Sequence, residues 1–518
     1  MDMFIKLSFL FIFFGVMLFV GFYCRKHTTD VSGFVLGGRS VGPWLTAFAY
    51  GTSYFSAVVF VGYAGQFGWK YGIAATWTGI ANALLGSLLA WTVLGRRTRV
   101  MTQHIDANTM PKFFEKRFRS RSLKIVSAAI IFIFLIPYTA SLYNGLSRLF
   151  AMAFNIDYSV CVIIMAVLTG IYVIAGGYMA TAINDFIQGI IMLVGIVAVI
   201  VAVLKSQGGF MQALDSLAQV TDTTVSTTPG VFASFFGPDP KNLLGVMILT
   251  SLGTWGLPQM VQKFYAIKSE KDINKGTIIS TLFAIIIAGG CYFLGGFGRL
   301  FGDKIDVAKD GFDAIVPSML EGLPTVLIAI VIVLVLSASM STLSSLVLVS
   351  SSTLTLDFLA DVEKKEMTEK KKLTVMRCLI VLFIGISVVL AIVQVKNGVT
   401  FIAQLMGVSW GALAGAFLGP FLYGLYWKKT TKTACWVNFI FSSFVMVANI
   451  FARPYFPELL QSPINAGAFC MIAGLVIVPL VSLLTKAPEK TEVDEIFSCY
   501  DRKVIVNAKD SIGDEIAE

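Results

Sequence analysis

The chain has 518 residues, of which 56% are hydrophobic and only 14% charged, against roughly 25% charged in an ordinary soluble domain. Stretches of about 20 apolar residues, each long enough to cross a bilayer as a helix, recur from near Met3 to near Thr485. A cytosolic enzyme, a secreted disulfide scaffold and a disordered regulator are excluded, and an all-α polytopic membrane protein remains.

In chain order the hydropathy predicts thirteen helices, near 3–24, 42–66, 71–95, 122–154, 157–177, 181–204, 242–268, 276–301, 324–357, 373–395, 399–427, 431–452 and 461–485. The first begins Met-Asp-Met-Phe and has no Ala-x-Ala before Arg25, so a retained helix is expected and not a cleaved signal peptide. With alternating passes, 30 of the 40 Lys and Arg fall on one side, including the basic loop at 96–121 and the clusters after Lys263, Lys364 and Lys428. The positive-inside rule makes that side cytoplasmic, with the N-terminus outside and the C-terminus inside a multi-pass protein of the cell membrane. The charge of +9 thereby orients the chain, and no nucleic-acid partner is implied. The outer loops at 205–241 and 302–323 are long enough for short surface helices.

The seven cysteines are scattered with no C-x-x-C, and both histidines, His27 and His104, fall in loops, so zinc, disulfides and histidine catalysis have no raw material. No G-x-x-x-x-G-K-[ST] occurs, which removes a P-loop nucleotide as an energy source. Transport driven by an ion gradient, or a channel, is left.

Two helices five apart are rich in breakers: the second holds Gly42, Pro43, Gly51, Gly62 and Gly65, and the seventh holds Gly245, Gly253, Gly256 and Pro258. Interrupted helices at matching places in inverted halves point to a transporter's binding site. Asp185 is a carboxylate near the start of the sixth helix, where a charge is expensive unless it meets a partner, a cation or water. In the ninth helix Ala338, Ser341, Ser344 and Ser345 share an arc of about 120° with Thr342 beside it. Clustered hydroxyls and carbonyls are hard ligands suited to a small cation. Read alone, Asp185 suits a solvated interface and the serines suit close helix packing.

These residues resemble the sodium/solute symporters, and most nearly their proline and pantothenate carriers. Phe34-Val35-Leu36-Gly37-Gly38-Arg39-Ser40 is similar to their F-x-L-G-G-R-S, Gly176-Gly177 with Asp185 and Gln188 to their GG-to-DxxQ segment, and Ser339-Met340-Ser341-Thr342-Leu343-Ser344 to their serine-rich helix. The resemblance implies a LeuT-like core of two inverted five-helix repeats over 36–430. Around it stand a first peripheral helix and link at 1–35, two C-terminal peripheral helices at 431–485 and a polar cytoplasmic tail at 486–518. It also implies a sodium site made by the carbonyls of Thr52, Phe55 and Ala338 with the hydroxyls of Ser341 and Thr342. A second sodium site, used by sialic acid carriers, corresponds to Asp185, Ser341, Ser344 and Ser345.

The expected function is sodium-coupled import of a small organic solute by alternating access, an amino acid such as proline foremost. Sodium is the coupling ion, no cofactor or nucleotide is needed, and the protein is not expected to be an enzyme. Tyr54 stands where the proline carriers have an aspartate, and Thr250 and Thr254 where they have a tryptophan and a tyrosine, while Tyr138 and Pro258 match. The expected solute-binding residues are Tyr54, Ser56, Tyr138, Thr254, Trp255, Pro258 and Gln404. A carboxylate or sugar acid, such as pantothenate or sialic acid, is the alternative solute. A membrane nutrient sensor or a channel on the same fold is the alternative of a different class.

Overall fold

The computed structural model describes residues 2–27, 29–154, 156–360, 367–396 and 402–501. Lys364 and Lys365, the first residues of the 399–427 segment, and Arg502, Lys503 and Lys509 of the tail lie outside them. Every expected segment coincides with helix, and no strand occurs among the described residues. By length and composition ten helices qualify as membrane spans, or eleven when a bent pair is counted as one. That is fewer than the thirteen expected, and the difference lies in two continuous stretches, Val58–His104 and Tyr158–Ser206. The 49 residues of the second would make a rod of about 74 Å, over twice the hydrocarbon thickness. It folds back at Gly177, whose φ of 53° and ψ of −145° interrupt the helix and suit a residue without a side chain. Val58–His104 turns in the same way at Gly72 (φ 61°, ψ −143°).

Both breaker-rich segments are broken. The second runs as Pro43–Tyr54, leaves helical geometry at Phe55 (φ −102°, ψ 87°) and resumes through the wide turn Val58–Tyr63. The seventh runs as Pro240–Gly256 and Pro258–Ala266, bent by 45°. Pro258 has no N–H to give and drives the preceding residue out of the helical region, and Leu257 is extended accordingly (φ −77°, ψ 122°). The ninth segment, Thr325–Thr353, is apolar and small on every side and is buried without interruption from Val331 to Thr353, as expected of a central helix.

The basic end is closed by backbone pairing. The Lys268 N–H donates to the Val41 carbonyl at 2.9 Å, and the Val41 N–H to the Ala266 carbonyl at 3.2 Å. The G-G-R motif serves this seam. Gly37, Gly38 and Arg39 all have positive φ, and that tight turn aims the Arg39 guanidinium at the Ala107 carbonyl (2.7 Å), Asn108 Oδ1 (3.1 Å) and the Tyr265 carbonyl (3.3 Å). The opposite end is open. A cavity of about 880 Å³ there is lined by Gln66, Trp69, Asp239, Arg299, Gln404 and Asn465 among others.

The loop at 205–241 carries the helix Phe210–Gln219, and the one at 302–323 carries Val307–Asp310 and Ile315–Leu320. The tail is more structured than its polarity suggests. Lys490–Phe497 is a helix whose Val493, Ile496 and Phe497 are buried. Asp494 pairs with Lys428 at 2.7 Å and Glu492 with Arg119 at 2.6 Å. Arg97 stacks over Tyr426 and Tyr500 at 4.1 and 4.5 Å.

Candidate cation and solute site

The break in the second segment frees carbonyls that a continuous helix would use. The Phe55 N–H still bonds back to Gly51, but the Thr52 carbonyl turns toward the ninth segment. There it accepts from Ser341 Oγ and Thr342 Oγ1, each at 3.1 Å. The same hydroxyls lie 3.3 and 3.2 Å from the Ala338 carbonyl. Four of the five oxygens expected around the first sodium thus converge from two segments in a fully buried place. Phe55, which carries the fifth, sits at the break itself. Among the described residues no group of His, Cys, Asp and Glu is arranged to hold a metal ion; neutral hydroxyl and carbonyl oxygens are hard donors, the kind an alkali cation takes.

The second expected set is differently arranged. Ser344 Oγ donates to the Ser341 carbonyl of its own helix at 2.9 Å. Ser345 Oγ meets Ser53 Oγ at 2.8 Å and accepts from Lys263 Nζ at 3.0 Å. Lys263 Nζ also lies 3.8 Å from Asp185 Oδ2, and the two side chains are 1% and 0% exposed. Lys263, counted above with the basic residues of the cytoplasmic side, is thus buried beside Asp185. One turn after Pro258, the half-helix Pro258–Ala266 runs inside the protein, where all its residues are buried. Beside Asp185, Asn184 donates to the Met17 carbonyl at 3.3 Å, which joins the sixth segment to the first.

The expected solute residues divide into four groups. Thr254 and Trp255 are committed to packing the seventh segment against the third, and Tyr54 to packing the second against the seventh. Tyr54 Oη donates to the Thr250 carbonyl (2.6 Å), Thr254 Oγ1 to the Gly86 carbonyl (2.9 Å) and Trp255 Nε1 to the Leu85 carbonyl (3.0 Å). Gly86 permits this approach, since a Cβ there would lie 2.1 Å from Tyr54 Oη. Pro258 starts the second half of its helix and shapes the bend. Gln404 lines the open cavity and not the buried centre.

Ser56 and Tyr138 sit at the centre. Ser56 Oγ caps the resumed helix by accepting from the Val58 N–H at 3.2 Å, and Tyr138 Oη, fully buried, lies close to Ser56 and Trp410 without a well-formed hydrogen bond. Trp410 was missed by the sequence reading. Its ring stands edge-on to Tyr138 at 5.9 Å and tilted over Tyr54 at 6.2 Å, and its buried Nε1 has no partner. Gly253 makes room for it, because a Cβ there would lie 2.5 Å from the indole. A buried donor left without an acceptor costs about 1–3 kcal/mol, and an acceptor group on a ligand would relieve that cost here. Nothing in the local sequence around Trp410 separates it from an ordinary buried aromatic.

The description "Sodium:solute symporter family" matches residues 34–440. The chain belongs to that family. The osmoregulated proline transporter OpuE of Bacillus subtilis is 29% identical over 483 residues, 92% of this chain and 94% of that protein. A sodium/proline symporter of Staphylococcus aureus is 30% identical over 490 residues, 92% of each. Among solved structures, a Na+-coupled sialic acid symporter in a substrate-bound outward-open state superposes with a TM-score of 0.73 at 18% identity, covering 94% of this chain and 99% of that one. A nucleobase-cation-symport-1 family transporter follows with a TM-score of 0.51 at 14% identity. The sialic acid likeness carries the fold alone, the LeuT-like architecture the motifs implied. The chain is a multi-pass membrane transporter of the sodium symport class.

Proposed function

We propose that this symporter imports a small zwitterionic amino acid, proline foremost, together with sodium. The observation that carries the reading is the convergence of the Thr52 and Ala338 carbonyls with the Ser341 and Thr342 hydroxyls at the break of the second segment. The coupling ion sits there, with Phe55 as its remaining ligand. The solute lies on the other side of the same break, against Tyr138, Trp410 and the ring of Tyr54. The indole N–H and the phenol face its carboxylate, aided by the helix dipole where the second segment resumes after Ser56. This leaves no role for a buried arginine at the carboxylate. The two relatives described as proline transporters support the choice of solute.

The positive-inside bias makes the basic end cytoplasmic and the open cavity external. The Val41–Ala266 seam then closes the inner exit while the outer vestibule admits sodium and solute. Release follows when the half-helix Pro258–Ala266 moves and opens that seam. The test is uptake of labelled proline into proteoliposomes under an inward sodium gradient, with potassium as control. Sodium-dependent accumulation is expected. Its absence, with sodium still raising thermal stability, would retire proline and direct a ligand screen to sugar acids and pantothenate.

A further inference from the structure

Asp185 and Ser345, two of the four residues expected to hold a second sodium, already have a cation between them. It is the ammonium of Lys263, 3.0 Å from Ser345 Oγ and 3.8 Å from Asp185 Oδ2, with the Tyr178 ring 5.2 Å away. We propose that Lys263 is a tethered cation that takes the place of a second sodium, so that each chain binds one sodium ion. The inference rests on the first-sodium reading above for that single ion.

Three observations carry it. The carboxylate of Asp185 has no hydrogen-bond partner, and its residue is fully buried, so the ammonium is its counter-charge among the described residues; a buried charge without one is not tolerated. The other two expected ligands are engaged elsewhere. Ser344 bonds to its own helix, and Ser341, expected in both sites, turns its hydroxyl to the Thr52 carbonyl of the first nest. Finally, a sodium entering beside Asp185 would stand within about 4 Å of the ammonium. At an effective dielectric of about 20 that repulsion weakens binding by about a thousandfold.

The tether also distinguishes the two sites mechanically. Lys263 rides on the half-helix after Pro258, Asp185 on the sixth segment and Ser345 on the ninth, with Ser53 of the second segment hydrogen-bonded to Ser345. A free sodium leaves with each cycle, whereas this cation moves only as far as its helix. The pair is then a latch that separates and re-forms without adding charge to the transported load.

The experiment is equilibrium binding of radioactive sodium to the purified full-length protein. One ion per chain is expected for the native protein and two for Lys263→Met, because removal of the ammonium exposes Asp185. Asp185→Asn and the neutral double variant Asp185→Asn/Lys263→Met are expected to bind one. A native count of two that falls to one in Asp185→Asn would overturn the proposal, and so would a folded Lys263→Met that stays at one. If Lys263→Met does not fold, Lys263→Gln takes its place, and a folded Lys263→Gln that stays at one would overturn the proposal. A native count of zero would instead remove the first-sodium reading, and a count of one in Lys263→Met would still support the tether.

Discussion

The first sodium nest yields a quantitative expectation for Ser341→Ala combined with Thr342→Ala. Each hydroxyl lies 3.1 Å from the Thr52 carbonyl and 3.2–3.3 Å from that of Ala338, so each supplies one oxygen to a cation held among them. An interaction with a charged group contributes about 1.5 kcal/mol at the lower end of its range, and two give about a hundredfold loss of affinity. Sodium at 100 times the native Kd stabilises the native protein by about 2.7 kcal/mol, but a variant bound a hundredfold more weakly by only about 0.4 kcal/mol. Loss of the hydroxyls also removes neutral hydrogen bonds worth about 1 kcal/mol each, and this appears equally in potassium. The assay is therefore thermal unfolding in sodium and in potassium, with the difference between the two read for each protein. A variant that is well folded in potassium and keeps the full native sodium shift would refute the placement of the cation.

Three further expectations concern other parts of the molecule. Gly86→Ala places a methyl 2.1 Å from Tyr54 Oη and is expected to destabilise by about 1–3 kcal/mol; Tyr54→Phe in the same chain restores part of that loss, read as the melting temperature. Tyr138→Phe removes a buried hydroxyl that makes no well-formed hydrogen bond with its neighbours Ser56 and Trp410, so stability is expected to stay within about 0.5 kcal/mol while KM for the solute rises about tenfold, as for one lost hydrogen bond to a charged group. Glu115 is flanked by Lys112 at 2.7 Å and Lys124 at 2.8 Å. Burial pushes its carboxyl up, but the two lysines outweigh it and hold it below the usual range. A lowered folded pKa gives stability that is present above the ordinary Glu value of about 4.3 and lost as pH falls through the folded value, so Glu115→Gln is expected to lose less stability on acidification than the native protein.

The order of helices and the two breaks were legible because each has a local cause: Pro258 fixes its bend through the residue before it. The convergence of Ser341 and Thr342 on the Thr52 carbonyl was implied by the family resemblance, because serines read alone also suit close helix packing. What stayed hidden depends on distance across the fold. Lys263 reads as one member of a basic run with Lys268, Lys271 and Lys275, and only the path of the half-helix shows it buried against Asp185. Trp410 is one of eight tryptophans, and its unpaired N–H is visible only when Tyr138 stands beside it. Trp255 and Thr254 looked available because their neighbours in sequence are small, but Leu85 and Gly86, some 170 residues earlier, take their donors. The tail helix was missed because its three buried apolar residues are diluted among charges that pair with Lys428 and Arg119.

Coupling follows from where the two sites meet. In the proposed site Thr52 and Phe55 would offer backbone oxygens to the cation, and Tyr54, between them, packs with Trp410 at 6.2 Å. A cation that fixes the carbonyl at 52 against the ninth helix therefore also fixes the ring at 54. The ring is held at its far end by the Thr250 carbonyl of the seventh segment, so the second, seventh and ninth segments are aligned together. Ordering that backbone without the cation would fall entirely on the solute's own binding energy. With the cation present, the solute meets a chamber already formed, and the same free energy appears reciprocally as tighter sodium binding when solute is bound. For a coupling of about 1–3 kcal/mol the mutual enhancement is about 5- to 150-fold. A chain in which Tyr54→Ala cuts the ring from the break is expected to bind sodium with nearly native affinity while losing that enhancement, because its carbonyls at 52 and 55 remain and only the connection between the sites is gone.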